Sequence, residues 1–213
     1  MEHTLEEVKP RIFLFSMKDQ YSLNMHFLRY QEFYESPSPS FRGKSFRLLD
    51  FMEWYCKKYG RGAFTYAVDW AGFNIPGKVL KQVMDLGIPD PNKYDTVMEE
   101  VYWSCKKKHD GDFYLIGARS RNQGRTLRHE IAHGFFYLNP DYRSKMTALV
   151  DGLPGGTRLA LQHHLKTMGY TPKVYTDEIQ AYMSTGLTSK MKGEVLNKEN
   201  KPFVKLYTQY YKL

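Results

Sequence analysis

The sequence predicts an α+β fold, with strands and helices mixed in the first half and helices alone after it. Three observations carry this prediction. Short apolar runs bounded by turn residues occur at 11–17, 63–70 and 113–118, helix-spaced apolar residues recur from 125 to 185, and 33 aromatic residues (17 Tyr, 13 Phe, 3 Trp) supply bulky core material.

Arg11 to Met17 (RIFLFSM) reads as a buried strand, and Ser36 to Ser40 (SPSPS) as a short surface loop. From Ser45 to Lys58, Phe46, Leu49, Phe51, Met52, Trp54 and Tyr55 recur near helical spacing before Gly60, predicting a helix that backs a sheet. Ala63 to Trp70 (AFTYAVDW) alternates and is expected to be a second strand; Gly77 to Leu86 is a short helix closed by Gly87 and Pro89. A longer helix covers Tyr94 to Lys108, a turn covers His109 to Asp112, and Phe113 to Ala118 forms a strand. Four helices are predicted at 125–138, 141–151, 157–168 and 176–185. No internal repeat or low-complexity tract interrupts them.

The 213-residue chain is long enough to bury roughly 70% of its unfolded surface and fold without a disulfide. Cys56 and Cys105 form no CxxC pair, so a disulfide framework and a thiolate zinc site drop out and both thiols are expected reduced. No run approaches the ~18 apolar residues of a membrane span, and MEHTLEEVKPR is charged where a secretory signal turns apolar. These features predict a soluble, cytoplasmic protein with no membrane partner. The net charge of +8 allows a nucleic-acid partner, but the cationic runs are short and Lys106 to Lys108 read as a solvated helix face.

Gly72 to Lys78 (GFNIPGK) matches the frame of a phosphate loop. However, Val79 lacks the hydroxyl that holds magnesium and Pro76 removes a backbone donor, so a plain turn is expected.

The informative segment is Thr126 to Leu138, whose centre His129-Glu130-Ile131-Ala132-His133 is H-E-x-x-H. Histidines at i and i+4 share one helix face, so both imidazoles can reach one metal ion while Glu130 is turned toward a metal-bound water. Leu127, Ile131, Phe135 and Leu138 make an apolar stripe, and His129 lies about 200° around the helix from Leu127, which predicts histidines turned away from the stripe toward a cleft. Independent draws from this composition would produce the motif in about one chain in a hundred, so composition alone does not account for it.

With this motif the sequence resembles the zincin metallopeptidases. The metzincin continuation fails, because Phe136 stands where glycine is needed and Asn139 where the third histidine is needed. The gluzincin pattern takes a glutamate from a later helix, and Glu178 in Tyr175-Thr176-Asp177-Glu178, separated from His133 by 44 intervening residues at a helix start that Thr176 or Asp177 can cap, fits it. The resemblance thus implies His129, His133 and Glu178 as ligands of one zinc ion (Zn²⁺) per chain. It also implies Glu130 as general base and acid on a zinc-bound water, with a Tyr, His or Arg side chain steadying the oxyanion, the candidate phenols being Tyr182, Tyr175 and Tyr137. The acidic residue the family places four beyond the glutamate is Tyr182 here, leaving Asp177 or Asp151 to orient a histidine. His163 or His164 is an alternative ligand.

The expected fold is a zincin-like α+β domain over 1–213, with a mixed sheet, backing helix and active-site helix in 1–138 and a helical C-terminal lobe in 139–213. In such a fold the strand at 113–118 is placed to bind extended substrate by strand addition, unless it is an interior strand. The activity implied is zinc-dependent hydrolysis of peptide or protein substrates. The alternative is an inactive zincin scaffold that binds nucleic acid or an acidic protein. The aromatic tail Lys201 to Leu213 either docks into the cleft, keeping the enzyme latent, or packs on the C-terminal lobe.

Overall fold

The computed structural model describes residues 2–60, 62–119, 124–193 and 197–212. The chain divides into two compact units, Met1–Gln123 and Gly124–Leu213. The fold is α+β, with a four-stranded mixed sheet in the first unit and, among the described residues, ten α-helices shared equally between the two. The helix carrying H-E-x-x-H groups with the second, helical unit. Among the described residues no helix is long and apolar enough to cross a membrane.

The first unit opens with β1 (His3–Lys9) and β2 (Ile12–Met17), an antiparallel hairpin whose turn residue Arg11 has φ 65° and donates its N–H to Glu7 Oε1 at 2.9 Å. Then follow α1 (Gln20–Glu35), α2 (Leu48–Lys58), α3 (Tyr66–Asp69), β3 (Gly72–Pro76), α4 (Gly77–Leu86), α5 (Lys93–Lys108) and β4 (Tyr114–Arg119). The sheet order is β1-β2-β4-β3, with β4 parallel to β2 and antiparallel to β3. The strand expected at a substrate-binding edge is therefore interior, both of its sides already hydrogen-bonded. Every residue of β2 is buried, and α1 lies so close to β4 that a Cβ on Gly117 would meet the Phe27 ring at 2.5 Å.

Two readings of this half are corrected. Ala63 to Trp70 is not a strand: the Thr65 and Tyr55 hydroxyls both donate to Asp69 Oδ2, at 2.6 and 2.7 Å, closing a single turn of helix that drops Tyr66 into the core. The second strand is instead Gly72 to Pro76, the start of the phosphate-loop frame. There the Gly77 N–H donates to Phe113 O and the Lys78 N–H to Asp112 Oδ1, so neither amide is left to cradle a phosphate. Within the expected surface loop, Ser36 and Ser38 are buried.

Cys56 and Cys105 are free thiols, and burial pushes the Cys105 thiol up to about 12. Lys107 and Lys108 are exposed on the last turn of α5, where cations favour the helix dipole.

Helix α1 buries polar residues beside apolar ones. Arg29 donates to Phe46 O at 2.7 Å and pairs with Asp90 at 2.7 Å and Asp95 at 3.1 Å, while Glu32 accepts from the Tyr66 hydroxyl at 2.8 Å. Burial raises the Glu32 pKa, against the lowering effect of its bonds to Tyr66 and Ser36. The folded state therefore holds this proton more tightly than the unfolded chain. That contribution is complete below about 4.5 and is lost as pH rises through the raised value. Glu32→Gln keeps an acceptor for Tyr66 and does not titrate, so it is expected to melt above wild type at pH 7. The gap should close at pH 4, and calorimetry at both pH values checks it.

The second unit contains α6 (Arg125–Leu138), α7 (Pro140–Asp151), α8 (Gly155–Thr167), a 3-10 turn (Pro172–Val174), α9 (Tyr175–Thr185), a second 3-10 turn (Met191–Gly193) and α10 (Asn197–Tyr211). Helix α9 packs against the other four. Asn139, at the position where a metzincin would carry histidine, accepts from the Asp141 and Tyr142 N–H groups at 3.1 Å and starts α7, with Pro140 following it.

The described part of the aromatic tail is the helix α10, which packs on the unit. Phe203 and Tyr207 are buried, and the Tyr207 hydroxyl donates to Arg128 O at 3.0 Å. Cutting the chain at residue 202 would remove two buried aromatics worth about 3–5 kcal/mol each, so a truncated chain reports on folding rather than on latency.

Candidate metal centre

Helix α6 presents two differently occupied faces. Ile131 and Phe135 of its apolar stripe are buried, with Leu127 and Leu138 half-buried at its ends. On the other face His129 and His133 stand one turn apart. They do not open into a wide cleft: α9 covers them, leaving their side chains 15% and 5% exposed.

The first turn of α9 brings two acids to this face. Val174 precedes the helix without a side-chain cap, so neither Thr176 nor Asp177 caps it. Asp177 Oδ1 instead accepts from His133 Nδ1 at 2.8 Å. Glu178 lies 3.7 Å from His133 Nε2 through Oε1 and 3.8 Å from His129 Nε2 through Oε2.

The other nitrogen of His129 is also engaged. Its Nδ1 lies 3.4 Å from Thr185 Oγ1, and that hydroxyl gives its own proton to Ala181 O at 2.7 Å. When both rings are neutral with the proton on Nδ1, each Nε2 turns a lone pair inward.

The two Nε2 atoms are 3.2 Å apart. Ligand atoms of His129, His133 and Glu178 all fall within 4.8 Å of one another, the one such group among the described residues. Two lone pairs and a carboxylate facing each other this closely repel unless a positive charge sits between them. Burial disfavours a proton on His133, but Asp177, Glu178 and Glu130 outweigh it and hold the His133 pKa well above the usual histidine value. Glu178 Oε2 is buried with no hydrogen-bond partner among the described residues. The donor set suits zinc, since bonds of 2.0–2.1 Å in a tetrahedron put ligand atoms about 3.3 Å apart.

Behind the histidines runs a buried polar chain. Gln180, fully buried, donates to Asp177 Oδ1 at 2.9 Å and accepts from the Tyr142 hydroxyl at 3.0 Å. Thus α7 and α9 together fix the carboxylate that fixes His133. Asp151 takes no part; it is exposed, with Arg158 at 3.9 Å.

The Tyr182 ring lies 4.5 Å from that of His129, and its phenol shares a hydrogen bond with Tyr170. Burial, with Glu178 adding to it, raises the Tyr182 pKa, and burial does the same to Tyr170, so both remain hydrogen-bond donors at neutral pH. Half-buried Glu130 acts electrostatically on His133, Tyr170 and Tyr182, which sets it beside the same centre. His163 is exposed and His164 faces Thr188 Oγ1 at 3.5 Å; neither joins the group. Tyr170, which the sequence does not single out, follows Gly169 outside any periodic segment.

No family model, curated protein or solved structure matches this chain.

Proposed function

We propose that this chain is a zinc-dependent peptidase of zincin type, with His129, His133 and Glu178 as the ligands of one zinc ion. The observation that carries this reading is the convergence of two Nε2 atoms, 3.2 Å apart, on a buried carboxylate oxygen that has no hydrogen-bond partner among the described residues. Zinc bound there supplies Lewis acidity, acidifying water and polarising a carbonyl.

The chain's own groups account for the rest of the chemistry. The Glu130 carboxylate takes the proton of the attacking water and delivers it to the leaving amine as the C–N bond breaks, yielding a carboxylate and an amine. The Tyr182 phenol donates toward the oxyanion. Asp177, held by Gln180, keeps His133 in the tautomer that offers Nε2. The zincin resemblance in sequence supports the reading, and α9 supplies the carboxylate as the gluzincin pattern requires. Substrate pairing along β4 is not part of the proposal, because both sides of that strand are occupied.

The first test is metal content by mass spectrometry on untagged protein prepared without chelator. One zinc per chain, restored after stripping and dialysis, is expected. A chain that holds no zinc even after reconstitution would leave a protonated histidine pair and shift the reading to a protein that binds an acidic partner through its basic surface.

A further inference from the structure

Arg125, His129 and His133 stand at successive turns of α6, and exposure rises along that line from His133 at 5% through His129 at 15% to an exposed Arg125. The line leads from the candidate metal position out to solvent, so a substrate entering along it meets Arg125 on the way in.

The Arg125 guanidinium is held in place. Nη2 donates to Gly186 O at 2.5 Å and Leu187 O at 2.8 Å, while Nε and Nη1 make no hydrogen bond among the described residues. It is also close enough to the Tyr182 phenol to act on it electrostatically. Arg143 offers a contrast: half-buried, it closes the end of α6 by donating to Phe136 O and Tyr137 O, away from the centre. Arg125 makes the same kind of closure at the end of α9, but with a donor edge that is unbonded among the described residues at the exposed end of the histidine line.

Charge over the whole unit points the same way. Residues 124–213 carry thirteen Lys and Arg against seven Asp and Glu, and three of those seven are Glu130, Asp177 and Glu178. Outside the centre the unit is strongly basic, a field that draws in acidic chains.

We propose that the substrate is an acidic peptide segment and that Arg125 pairs with an Asp or Glu side chain close to the cleaved bond. This rests on the peptidase reading. The four residues of helix from Arg125 to His129 rise about 6 Å and an extended peptide advances about 3.3 Å per residue, which places that side chain one or two residues from the bond.

The test uses the zinc-loaded full chain and a synthetic peptide pool with degenerate positions, with cleavage sites read by mass spectrometry. Enrichment of Asp or Glu at a fixed position beside the cut is expected. A best-cleaved peptide and its Glu-to-Gln counterpart then give a kcat/KM ratio, expected to fall about fivefold in Arg125→Gln through KM and to survive in part in Arg125→Lys. Arg125→Glu should turn the preference toward Lys and Arg. If Arg125 served only to close α9, its loss would slow both peptides equally and leave the ratio unchanged, overturning the proposal. A pool cut without acidic preference would overturn it while leaving the peptidase reading standing. No cleavage by zinc-loaded protein would end both.

Discussion

Glu130→Gln is expected to hold one zinc per chain and to hydrolyse peptides about 10²–10⁴-fold more slowly than wild type. The substitution preserves volume and changes only whether the side chain can accept a proton. Glu130 is outside the group formed by His129, His133 and Glu178, so loss of its charge should leave the ligand set intact. Its electrostatic influence on His133, Tyr170 and Tyr182 still sets it beside the same centre. Metal content and kcat measured on one preparation check both halves. A variant that cleaves as fast as wild type would show that the activity belongs to another group or a contaminant. A variant that loses zinc would make Glu130 a ligand and require a different base.

What could be seen in the sequence depended on whether the chemistry was periodic. His129 and His133 are four apart, and no fold is needed to put such a pair on one helix face. Glu178 was visible because it stands in a helix start with few competing acids after His133. Asp177 was visible as a residue but was read partly as a cap, since the sequence does not show that this turn of α9 faces α6. Gln180 and Tyr142 carried no signal, because a buried amide and phenol look like ordinary polar and aromatic positions until their partners are known.

The same limit hid α1 in the first unit. Asn24, His26, Arg29, Gln31 and Glu32 are buried there beside apolar neighbours, so no amphipathic stripe marks the helix. Ala63 to Trp70 failed for a related reason: its alternation is real, but hydroxyl bonds to Asp69 close a turn that alternation does not encode. Helix α10 was seen only as an aromatic tail, its helical spacing broken by Pro202.

Glu178→Gln is expected to weaken zinc binding by at least a hundredfold, exceeding the 10–100-fold loss typical when only a residue behind a ligand is changed. Heat denaturation reads this without any substrate. A ligand that binds only the folded chain at a thousand times its Kd stabilises it by about 4 kcal/mol, and for a chain of this size each kcal/mol moves the midpoint roughly 2–4 °C. Wild type should therefore melt roughly 10 °C higher with zinc than after chelation, while Glu178→Gln should show almost no difference. The variant keeps the side-chain volume and an oxygen near both histidines, so its metal-free form is expected to fold. Without its charge, the side chain no longer draws a cation toward the two Nε2 atoms. If zinc leaves the wild-type midpoint unmoved, the 3.2 Å histidine contact is held by a shared proton rather than a metal. In that case Asp177 and Glu178 serve to keep His133 charged, and the centre is a structural ion cluster with no peptidase chemistry.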